Sequence, residues 1–211
     1  MWIATILVPV ILILMAIRLL LTPLYIQVEY RLPGFPEDSF GFNFKERLNW
    51  ADLSRVYLLN NESIDFLGDQ KLNETTPLYN QRELRHMYDV KTVIKSAMNV
   101  LLVSIVFEIG WGYWSSRSNK AIDFRKAISR GGWLSAGLVI AILVYLAMNF
   151  NSLFTNFHRI FFEGDTWLFR YSDTLIRLFP IQFWRDAFIC IAVLTLLVGG
   201  CIGYFVPDKT K

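Results

Sequence analysis

The chain of 211 residues carries only two histidines, His86 in "RELRHMYDVK" and His158 in "FHRIFFEGDTWLF". An imidazole titrates near neutrality, so a pair of them suits taking a proton from one atom and returning it to another. Carboxylates stand near both in the sequence. Glu83 and Asp89 flank His86, and Asp89, three positions on, would share its face on a helix. Asp165 and Asp173 follow His158. Three readings are open at this level. The histidines are an acid/base pair, or ordinary interfacial residues, or they hold a metal ion with one or two carboxylates. The spacing matches no zinc pattern, since HExxH is absent. No GxSxG occurs, and both cysteines, Cys190 and Cys201, fall in one apolar run. A serine or cysteine nucleophile therefore has no anchor.

The elements that must position these residues follow from hydropathy. Of the residues, 54% are hydrophobic and 16% aromatic, above the roughly 45–50% apolar share of an ordinary soluble domain. The excess gathers in four runs, at about 3–25, 92–114, 133–150 and 187–206. Each is long enough to cross ~30 Å of hydrocarbon at 1.5 Å per residue. A chain this short cannot wrap four such helices in polar structure. The expected fold class is therefore an all-α polytopic membrane protein, a single membrane domain of four transmembrane helices with a small mixed extracytoplasmic cap and interfacial helices. No Lys or Arg precedes the first run and no small-residue cleavage site follows it, so it reads as a retained span.

Orientation comes from basic residues in short loops. The segment 115–131 holds Arg117, Lys120, Arg125, Lys126 and Arg130 against Asp123 alone, which places it in the cytoplasm. Lys209 and Lys211 near the C-terminus agree. Both termini are then cytoplasmic, and 27–91 and 151–186 are extracytoplasmic. The net charge of +3 reflects these anchors and carries no nucleic-acid signal.

Within the first outer segment, Ile26, Val28, Tyr30 and Leu32 alternate as a strand would. "NWADLSRVYLLN" fits a short helix capped by Asn49. From Gln81 the pattern turns helical and runs into the second span, with Lys91 and Lys95 snorkelling at its outer interface. His86 then lies about 9–14 Å above the hydrocarbon, at headgroup depth. In the second outer segment Phe154, Phe157, Phe161 and Phe162 line one helix face with His158 at its edge, the pattern of a helix lying in the interface. "SDTLIRLFP" reads as another short helix, capped by Ser172 or Asp173 and stopped by Pro180. The two histidines thus share a depth and a leaflet. Two charges fall inside spans, where they need a partner or a cavity. Arg18 would face an outer-leaflet cavity or snorkel. Glu108 would pair with the basic loop, for example with Arg117 or Lys120.

Three blocks together, "HMYDVK" (86–91), "FHRIFF…DTW" (157–167) and "DTLIRLFPIQFW" (173–184), behind four spans, resemble a family of small bacterial integral membrane proteins. That family includes the lipoprotein intramolecular transacylase of Gram-positive bacteria. The resemblance covers the whole chain. It implies an acyltransferase that moves the sn-2 acyl chain of a diacylglyceryl-cysteine to the α-amino group of the same cysteine, with no cofactor. His86 and His158 match the family's two histidines, with His158 as the main base or nucleophile and His86 as its partner. The implied partners are a diacylated lipoprotein and membrane lipids, in the cell membrane of a bacterium. For the oxyanion donor, Arg18, the second histidine and a backbone N–H are all open. Arg18, Asp89, Asp165 and Asp173 are the candidate supporting residues. The competing classes are a non-catalytic membrane binding or assembly protein and a metal-dependent membrane hydrolase.

Overall fold

A computed structural model describes residues 1–206, so Lys209 and Lys211 lie outside the described residues. Its helices are α1 (Trp2–Leu20), α2 (Pro23–Glu29), α3 (Phe44–Leu59), α4 (Asp65–Gly68), α5 (Gln81–Arg117), α6 (Ala121–Phe161), α7 (Thr174–Leu178) and α8 (Ile181–Phe205). The described residues form no strand, and Lys71 and Pro77 make a lone bridge. Four helices, α1, α5, α6 and α8, are long and apolar enough to cross a membrane. The chain is an all-α multi-pass membrane protein. It divides into two compact units, one of residues 1–19, 97–150 and from 188 onward, the other of 20–96 and 151–187.

The apolar unit packs through its smallest residues. A Cβ added at Gly132 would lie 2.5 Å from the carbonyl oxygen of Gly199 and 2.6 Å from the nitrogen of Gly203. Thr5 Oγ1 donates to the Ala127 carbonyl and Ser129 Oγ to that of Gly203, both at 3.0 Å. Without a hydrophobic driving force between helices in lipid, close backbone approach and hydrogen bonds carry association. Large apolar side chains point outward instead, Val103 being 68% exposed. The pairing expected for Glu108 does not form. Both its carboxyl oxygens are buried with no hydrogen-bond partner among the described residues. Arg117 lies 5.5 Å over the Tyr113 ring and Lys120 5.0 Å over that of Trp114. Cations placed over nearby aromatic faces find a favourable contact without the carboxylate.

The second unit has a side-chain core around Tyr57, Leu67, Leu78, Met87, Leu175 and Leu178. Several of its buried polar groups are paired. Arg177 grips Asp38 with two hydrogen bonds of 3.0 Å, and Ser54 Oγ meets the Tyr79 hydroxyl at 2.7 Å. The strand expected at 26–32 is instead α2 and the turns after it. Pro23 stands at the first helical position after an extended Thr22, where its fixed φ favours a helix. Ile26 and Glu29, three apart, then turn inward. The helix expected to start after Asn49 starts at Phe44. Asn43 caps it in a reciprocal box with Glu46, each bond 3.0 Å, and this outcompetes Asn49. Asp173 is the N-cap position of α7.

Lys91 does not snorkel. It is 6% exposed, donates to Asn60 Oδ1 at 2.9 Å and the Glu62 carbonyl at 2.7 Å, and sits 3.9 Å over the Tyr57 ring. Glu29 is 2% exposed. Burial first, then the charge and hydrogen bond of Asp186, push its carboxyl up to about 7, against the opposing pull of Arg185 and Tyr25. Burial and a nearby carboxylate both disfavour the charged form of Glu29.

Candidate functional site

His86 lies in the second turn of α5 and His158 in the last turn of α6, both within the second unit. α5 reaches His86 in good register because its first turn is tied down. The Asn80 side chain accepts from the Arg82 and Glu83 amides at 2.9 and 3.1 Å, and Glu83 Oε2 accepts from the Asn80 amide at 2.8 Å. Glu83 Oε1 accepts from the Leu175 amide at 2.7 Å, which joins that turn to α7. The Asn-x-x-Glu pattern at 80–83 was the signal for this latch, and charge counting alone does not find it. α6 bends before it reaches His158. Asn149 leaves the helical region at φ −161° and ψ 87°, and the last helical stretch follows that kink.

The imidazoles face each other with ring centroids 6.1 Å apart and planes 21° apart, each residue 8% exposed. Aromatics enclose them. Phe162 lies 4.9 Å from His86 and 5.5 Å from His158. Phe169 is 5.4 Å from His86, Phe154 4.1 Å from His158, and Trp167 4.8 Å from His158. The single apolar face expected of Phe154, Phe157, Phe161 and Phe162 is divided. Phe154 and Phe162 turn to the histidines, whereas Phe157 and Phe161 are exposed. A helix between two apolar environments has two apolar faces, and 3.6-residue spacing alone does not assign them.

His158 Nδ1 meets the Phe154 carbonyl oxygen at 2.8 Å. A carbonyl only accepts, so Nδ1 carries the hydrogen, and the neutral ring presents a lone pair at Nε2. His86 Nδ1 is buried with no hydrogen-bond partner among the described residues. The pair therefore offers one oriented proton acceptor and a second ring whose tautomer is unconstrained by protein.

None of the candidate carboxylates hydrogen-bonds either imidazole. Asp165 stands 3.9 Å from Arg82 Nη1, with both side chains largely exposed. Asp173 accepts from the Arg170 amide at 2.8 Å and Asn80 Nδ2 at 3.2 Å, which organises the turn before α7. Asp89 is half-buried one turn beyond His86. Arg18 closes α1 in the apolar unit, exposed. No three His, Cys, Asp or Glu side chains gather into a metal-binding group among the described residues.

Comparisons with known proteins agree with one another. The family model described as lipoprotein intramolecular transacylase Lit matches residues 2–184. A curated protein of Aquifex aeolicus, described as uncharacterized, is 29% identical over 183 residues, covering 86% of this chain and 81% of its own. Among solved structures, the membrane integral lipoprotein intramolecular transacylase Lit from Bacillus cereus is similar with a TM-score of 0.66 at 18% identity, over 97% of this chain and 92% of that one. A variant of the same protein with a histidine replaced by alanine gives a TM-score of 0.65, also at 18% identity, over 97% and 89%.

Proposed function

Since the chain belongs to the lipoprotein intramolecular transacylase family and is thus an acyltransferase of the membrane, we propose that His86 and His158 catalyse O-to-N transfer within one lipoprotein. The substrate is a diacylglyceryl-modified N-terminal cysteine. Its sn-2 acyl chain moves to the α-amino group of the same cysteine and leaves an N-acyl lyso-lipoprotein. The observation that carries this reading is the facing imidazole pair with His158 Nδ1 held on the Phe154 carbonyl.

The reaction is aminolysis of an ester. The amine must lose a proton to become and remain a nucleophile, and the glycerol oxygen must gain one to leave. His158, with its lone pair at Nε2, takes the amine proton. The His158 imidazolium so formed hands that proton, directly or by way of His86, to the glycerol oxygen as it leaves, and both rings end neutral. Positioned acid/base groups contribute on the order of 10²–10⁴ in rate. Joining ester and amine in one molecule removes much of the entropic barrier, worth up to about 7–11 kcal/mol in well-oriented cases. Such a substrate sits in a leaflet with its cysteine at headgroup level. The basic residues at 115–131 support cytoplasmic termini, hence a site at the outer leaflet.

His158→Ala is expected to lower conversion of a diacylated lipoprotein at least about 10²-fold, and His86→Ala to lower it as well. Mass spectrometry of the lipoprotein N-terminus measures this. If both variants still yield the N-acyl lyso form at the parent rate, the assignment fails.

A further inference from the structure

Nine buried side-chain polar atoms lack a hydrogen-bond partner among the described residues, and three belong to the histidine cage or its edge: His86 Nδ1, Thr166 Oγ1 and Trp167 Nε1. A native protein rarely strands buried polar atoms, and where it does the cause is often functional. The elements elsewhere in this unit are well satisfied, as the Glu83, Arg177 and Lys91 contacts illustrate. Glu29 Oε1 is the other unpartnered atom in this unit, and five more lie in the apolar unit, so it is the place of the Trp167 indole beside His158 that sets it apart.

Trp167 differs from the other aromatics around the histidines in one respect. Phe154, Phe162 and Phe169 supply only apolar surface, whereas an indole adds an N–H that donates and never accepts. Its ring lies 4.8 Å from the His158 ring, tilted 34°, so the donor is carried within one ring's width of the group that takes the amine proton. It also lies in the short segment between α6 and α7, outside any helix. A residue whose only task was to cover the histidines would need no N–H there, and burying one unpaired has a desolvation cost.

We propose that the Trp167 Nε1–H is a donor to the reacting ester's carbonyl oxygen and stabilises the oxyanion formed there. This deepens, and rests on, the transacylase reading of the same site. The amine nitrogen forms a bond to the ester carbon, and the C=O π pair moves onto the carbonyl oxygen as Nε1–H donates to it. The amine proton goes to the His158 imidazole. The pair then returns, the carbon–glycerol oxygen bond breaks, and that oxygen takes the proton that the His158 imidazole received. Atoms and charge balance with no further reactant. Because the donor meets charge that exists only part-way through the reaction, its contribution falls on kcat and hardly on KM.

The test uses the full-length protein in detergent with a synthetic diacylglyceryl-cysteine lipopeptide, product being followed by mass spectrometry. Trp167→Phe removes the N–H and keeps an aromatic ring. Replacing Trp167 by 3-benzothienylalanine exchanges the N–H for sulfur with the bicyclic shape retained, which decides the matter if the phenylalanine variant does not fold. The expected result is a kcat lower by about 10²–10³-fold, with KM changed less than threefold. A folded variant that keeps kcat within threefold, or loses activity through KM alone, overturns the proposal while leaving the transacylase reading intact. Failure of the parent protein to convert the lipopeptide overturns both.

Discussion

In the apolar unit Gly132 meets Gly199 and Gly203 backbone to backbone, and the large side chains face outward. In the histidine-bearing unit Leu178, Leu67 and Tyr57 are buried side chain to side chain, and polar atoms pair inside. Both units are helical, yet their rules of packing are opposite. Helices that face lipid gain nothing from hiding leucine and must rely on close approach. Helices whose alternative is water gain ~25 cal/mol for each Å² of apolar surface hidden. The contrast shows which solvent each unit is built for without reference to its chemistry.

The contrast can be broken most strongly in the second unit. Leu178 is 0% exposed, and Leu178→Ala is expected to destabilise it by about 2–5 kcal/mol, measured as a fall in thermal midpoint by cysteine-reactivity or tryptophan fluorescence. The matching change in the apolar unit is an addition. Gly132→Ala is expected to cost about 1–3 kcal/mol by overpacking, because a carbonyl and an amide nitrogen must move rather than a flexible side chain. Equal tolerance of both changes would erase the distinction.

A third effect depends on pH. The Glu29 carboxyl is raised from 4.5 to about 7 in the folded protein. The folded state therefore holds a proton that the unfolded chain has already lost. The stability this group contributes is complete below the unfolded value and declines as pH rises through the window up to about 7, by at most about 1.4 kcal/mol per unit. Amide exchange of α2 is expected to quicken across that window. Glu29→Gln is expected to flatten the dependence, since an amide meets Asp186 without a titrating proton. The smallest effect belongs to the lipid-facing side of the apolar unit. Val103→Leu is expected to change the thermal midpoint by less than about 0.5 kcal/mol equivalent, and a larger shift would mean that this face packs against protein.

The four long helices were legible because lipid demands ~20 apolar residues in a row, a constraint strong enough to survive in bare composition. The histidines were legible because only two exist. What the residue pattern concealed was the partner of each group. Lys91 carries every sequence mark of an interfacial lysine, yet Asn60, Glu62 and Tyr57 from a distant segment hold it inside. The alternation at 26–32 argued for a strand, and Pro23 with the burial of Ile26 and Glu29 decided for a helix. The phenylalanines near His158 were read as one face because their spacing is helical, and which of them turn to His86 depends on α5, some seventy residues earlier. Trp167 closes one of the blocks that carry the resemblance, but nothing in the residue pattern put its indole 4.8 Å from the His158 ring, a neighbour that only tertiary structure supplies.

If the imidazoles act as proposed, the aromatic cage around His86 and His158 has a bearing on which product forms. An activated ester can be taken by an amine or by water, and the second outcome would discard the acyl chain as a free fatty acid. With Phe154, Phe162, Phe169 and Trp167 closed around both rings, a solvent molecule has little room beside the reacting carbon, while the amine arrives already tethered to it. Such exclusion is how a transferase keeps from acting as a hydrolase. On that proposal fidelity is a matter of wall and tether, and the same two imidazoles in an open cleft would spend the substrate on water.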